Sequence, residues 1–66
     1  MSQSNDQALR AFISNVGEIQ VQLSVLTGYA ENHMDTLPED IHWGHVGSTR
    51  RVLELLDQIH SFLNLD

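Results

Sequence analysis

From Leu9 to Leu37 one set of positions recurs at alternating steps of three and four residues: Leu9, Phe12, Val16, Ile19, Leu23, Leu26, Ala30, His33 and Leu37. This is the heptad seam of helices that pack on other helices. A strand would need a period of two and a much shorter run. The spacing predicts a first helix over about residues 5–34, roughly 45 Å long at 1.5 Å per residue. Ile13 and Met34 widen its apolar side. Gly17 and Gly28 fall off the seam, where each costs about 1 kcal/mol relative to alanine without disturbing a core. A break near Thr27–Gly28 is the alternative. At the start, Ser4 and Gln7 have capping-box spacing, Asp6 suits the positive end of the helix dipole, and Met1 to Asn5 should fray.

The one proline, Pro38, follows Asp35, Thr36 and Leu37. Thr36 and Glu39 repeat the capping-box spacing, and proline is at home in a first helical turn. The reading is a turn at about 35–37 and a second helix over about 38–64. A connection that short makes the helices antiparallel neighbours.

The second helix carries two adjacent seams. Ile41, His45, Ser48, Val52, Leu55, Ile59 and Phe62 form one; His42, Val46, Thr49, Leu53, Leu56, His60 and Leu63 form the other. Together they make a face broader than one partner helix covers. Gly44 and Gly47 either lie within one continuous helix, the preferred reading, or break it so that Ser48 caps a shorter one.

Size sharpens the question of what covers that face. A chain of 66 residues makes one small domain. Such a domain buries only about 60% of its unfolded surface and is marginally stable alone. Disulfides are excluded because there is no cysteine, which also removes thiol catalysis and cysteine zinc sites. The expected fold is therefore an all-α, antiparallel two-helix hairpin that dimerises into a four-helix bundle. Its core is expected to join Leu9, Phe12, Val16, Ile19, Leu23 and Leu26 to Val52, Leu53, Leu55, Leu56, Ile59, Phe62 and Leu63.

Charge narrows the function classes. Nine Asp and Glu face three Arg and no Lys, for a net charge of −6. Direct nucleic-acid binding and a basic membrane-surface helix both need cations that this chain lacks. No apolar run is long enough to span a membrane, and the start does not read as a signal peptide. A cytoplasmic location is expected.

Candidate chemistry is sparse. Glu39, His42 and His45 could share a helix face, and Glu39-x-x-His42 has the form of the carboxylate–histidine pair of di-metal bundles. Neither Glu18 nor Glu31 lies on the first helix's seam to complete such a site, so these three are secondary metal candidates and no cofactor is expected. Ser48 and Thr49 lie near His45, but two helices supply no pocket or oxyanion hole. An enzyme is not expected. Arg50 and Arg51 should pair within the helix, for example Arg50 with Glu54. Glu31, Asp35, Glu39 and Asp40 fall within ten residues with no Lys or Arg among them. They are either a solvated loop or a negative pole for a basic partner, including a nucleic-acid-binding protein whose site they would mimic. Trp43 is the candidate anchor for a partner protein, or a lid on the bundle end. The expected function is a small acidic interaction module (adaptor, regulator or inhibitor) working as a homodimer, with a metal-binding bundle as the alternative.

Overall fold

The computed structural model describes residues 3–65 and is all-helical, with no strand among the described residues. Helix α1 spans Gln3–Glu31 and helix α2 spans Trp43–Leu63, with short turns at His33–Asp35 and Pro38–Asp40 between them. The chain divides into two units, Met1–Asp35 and Thr36–Asp66.

In the first unit, α1 runs 29 residues without a break at Gly17 or Thr27–Gly28. No atom beyond its own local backbone approaches either glycine, so both are simply absent side chains on a helix. Asp6 lies in the first turn, where the helix dipole favours an anion. The helix begins at Gln3 rather than near residue 5, so Asn5 is helical and not frayed. The expected fraying of Met1 and Ser2 lies outside the described residues, and Ser4, expected as the cap, falls inside the helix instead.

The end of α1 departs from the seam. The helix stops at Glu31, and His33, Met34 and Asp35 all take left-handed backbone, with φ of 56°, 56° and 55°. The Asn32 N–H donates to the Gly28 carbonyl at 3.2 Å and the Asp35 N–H to the Asn32 carbonyl at 3.0 Å. His33, Met34 and Leu37 therefore leave the stripe on which the heptad count placed them. Two local causes oppose the longer helix. Pro38 holds the residue before it out of the helical region, and Leu37 is extended at φ −71° and ψ 145°. Glu31 also puts an anion in a last turn that has no basic residue to meet the negative dipole end.

The second unit also begins differently. Pro38–Asp40 is a separate 3-10 turn, closed by the Asp40 N–H on the Leu37 carbonyl at 2.9 Å. Its capping position is Leu37 rather than the expected Thr36, and Leu37 makes no side-chain cap bond. Ile41 and His42 are extended, and α2 starts at Trp43, five residues later than proline placement implied. From there it runs 21 residues straight through Gly44 and Gly47. Ser48 is not a cap: its hydroxyl donates to the Gly44 carbonyl at 3.1 Å. Asn64, left-handed at φ 58°, ends the helix; the Leu65 N–H reaches the His60 carbonyl at 3.0 Å and the Asn64 N–H reaches that of Ser61 at 3.2 Å. That pair of bonds is a Schellman ending, with asparagine in the place glycine most often takes.

Each helix carries its apolar residues as a stripe. Leu9, Phe12, Ile19 and Leu23 are exposed on α1, with Val16 and Leu26 half-buried. On α2, Leu53, Leu55, Ile59, Phe62 and Leu63 are exposed, with Val52 and Leu56 half-buried. No described side chain is fully buried.

Candidate functional site at the start of the second helix

The most developed polar arrangement is the N-terminus of α2, built by two histidines. A helix leaves its first N–H groups without partners inside the helix, and side-chain acceptors normally meet them. His42 occupies the capping position with extended backbone (φ −140°, ψ 177°), and its Nδ1 accepts the Gly44 N–H at 3.0 Å. Three residues on, His45 Nδ1 accepts the His42 N–H at 3.1 Å. The two rings lie 4.0 Å apart between centroids and are tilted by 40°. This is the reciprocal logic of the Ser/Thr–Glu/Gln capping box, carried out with two imidazoles.

The arrangement accounts for Gly44. A Cβ there would come 2.7 Å from His42 Cε1 and 3.0 Å from its Nδ1, too close for the ring to stay. Gly47, one turn further on, faces open space. Trp43 is the first residue of α2 and is 82% exposed, so its indole is presented to solvent rather than laid over the helix start.

The same bonds fix what the imidazoles can do. Because both Nδ1 atoms accept, each neutral ring carries its proton on Nε2. A metal at Nε2 would need the opposite tautomer and would break both caps. Glu39 lies in the preceding turn and does not share an α2 face with His42 and His45. Among the described residues no group of three or more metal-ligating side chains is assembled. The hydroxyls near His45 are also committed: Ser48 Oγ to the Gly44 carbonyl, and Thr49 Oγ1 to the Val46 carbonyl at 2.9 Å. Neither is bonded to an imidazole. Both therefore sit on the α2 stripes with their protons already satisfied.

Of the four acidic residues, Glu31 closes α1 and Asp35 lies in the left-handed turn of the first unit, while Glu39 and Asp40 lie in the 3-10 turn of the second. All four are exposed. The ion pair on α2 joins Arg51 to Glu54 at 3.1 Å, rather than Arg50, and both side chains are more than half exposed. Such a pair is worth a few tenths of a kcal/mol.

The reading from sequence did not find the His42–His45 cap. Its signal was the three-residue spacing just before the helix, but Thr36-x-x-Glu39 with Pro38 offered a better match to the usual residue types. Among the described residues, no helix is long and apolar enough to cross a membrane. Comparison with protein-family models, curated proteins and solved structures finds no match to this chain.

Proposed function

We propose that the chain is a non-enzymatic protein–protein interaction module that works as a homodimer. In this reading each chain folds back as an antiparallel hairpin, and two hairpins close into a four-helix bundle. The observation that carries it is the exposure of both stripes. Phe12 is 64% exposed and Phe62 76%, and helices of this length gain most of their stability from packing an apolar face. A second copy supplies complementary heptad stripes at no cost in charge burial, because the stripes carry no Asp, Glu or Arg. Ser48 and Thr49 can be covered as well, since their hydroxyl protons are already bonded within α2. The bundle leaves Trp43 and the acidic residues Glu31, Asp35, Glu39 and Asp40 for a different protein, one with a basic surface and a pocket for an indole.

Two substitutions test this reading. Leu56→Asp places a charge on the α2 stripe, and it should lower mass and helicity together, because a dimer of this kind has no stable lone protomer. Trp43→Ala should keep helicity and dimer mass while losing the partner captured from the native host. If Leu56→Asp stays helical at unchanged mass, the stripes are not the interface. If Trp43→Ala captures the same partner as well as the unchanged chain does, the indole is not the anchor.

A further inference from the structure

We propose that the paired rings of His42 and His45 are a proton-sensitive latch on the start of α2: with both Nδ1 atoms bare the helix is capped, and uptake of a proton by either ring releases its first turn. The inference rests on bond direction. A backbone N–H can only donate, so the bonds from Gly44 and His42 require lone pairs on the two Nδ1 atoms. A protonated imidazole has a hydrogen on both nitrogens and accepts nothing. Protonating His42 therefore removes the acceptor for the Gly44 N–H, and protonating His45 removes the acceptor for the His42 N–H.

Two further features act in the same direction. The ring centroids are 4.0 Å apart, so two imidazolium charges would repel each other directly. Both rings also sit at the positive end of the α2 dipole, which disfavours a cation. The nearby anions are Glu39 and Asp40 in the preceding turn, and they oppose the latch by attracting an imidazolium. The nearest cationic side chains on α2, Arg50 and Arg51, come more than a turn beyond His45, with Arg51 engaged by Glu54. The sign follows. The cap contributes stability while both imidazoles are unprotonated, and it is lost when acid puts a proton on either Nδ1. A serine–glutamine or threonine–glutamine box would cap without any such dependence.

Gly44 ties the latch to what it controls. Its missing side chain is what lets the His42 ring lie over the first turn, and the residue between them is the exposed Trp43. Release would thus free the backbone that presents the indole. The inference does not depend on the dimer, since every bond in it lies within residues 42–45.

The test uses the full chain. Imidazole nitrogen chemical shifts read the tautomer directly, and near pH 8 both His42 and His45 should carry the proton on Nε2. Amide protection at Gly44 and His42, corrected for intrinsic exchange, should fall about two- to thirty-fold between pH 8 and pH 5, the span a lost cap implies. The double substitution His42→Ser, His45→Gln should keep protection at the helix start and abolish its pH dependence. Replacing His33 and His60 by Gln should leave the transition in place. An Nδ1–H tautomer on either ring near pH 8 would overturn the latch even if no variant folds. So would an unchanged acid transition in the serine–glutamine variant.

Discussion

Histidine is not a favoured capping residue, because serine, threonine, aspartate and asparagine reach the helix N–H groups with shorter side chains. Two histidines succeed here because each supplies one ring nitrogen at the right reach and because Gly44 leaves room for the His42 ring. This makes the four glycines unequal. Gly28 faces open space on α1, so Gly28→Ala should stabilise the protein by about 1 kcal/mol through helix propensity alone. Gly44→Ala gains the same propensity but must push the His42 ring off its bond, at a cost of about 1 kcal/mol. It should therefore yield no net gain. Chemical denaturation of the two variants checks the contrast, and equal stabilisation would mean that the ring does not hold the helix start. The glycine at 44 was visible in the sequence as a possible helix breaker. Its real role depends on where a neighbouring ring lies, which composition and spacing do not report.

Helices were legible where periodicity alone decides the outcome. The stripes from Leu9 to Ala30 and from Val46 to Leu63 lie on α1 and α2, and both off-seam glycines of α1 are absorbed. Legibility failed between residues 32 and 42. There the heptad count continued through His33 to Leu37 while backbone geometry ended the helix at Glu31. Three consecutive non-glycine residues in left-handed backbone oppose the ordinary preference of L-residues, at roughly 1–2 kcal/mol each and less for aspartate. No sequence pattern announces such a turn, because glycine, its usual mark, is missing. The turn makes its own prediction. His33 is exposed, so His33→Gly should relieve strain and stabilise the protein by about 1 kcal/mol, read as a raised thermal midpoint. A lowered midpoint would indicate that His33 adopts ordinary backbone in solution.

For the whole molecule, the telling property is that two well-formed amphipathic helices each carry an apolar stripe exposed to solvent. Exposed stripes of Leu, Ile, Val and Phe invite association, and isolated helices draw little stability from propensity alone. The sequence signalled this through two adjacent seams on one helix, more apolar surface than a single neighbour covers. Which copy or partner covers it is not written in a heptad pattern, since every such pattern specifies a kind of surface rather than its occupant. The proposed homodimer fixes the mass of the folded species, which sedimentation equilibrium of the unmodified chain at micromolar concentration and neutral pH measures. The expected result is a helical species of about twice the 7.5 kDa chain mass, with mass and helicity falling together on dilution. A fully helical species that sediments at the mass of one chain across that range would contradict it.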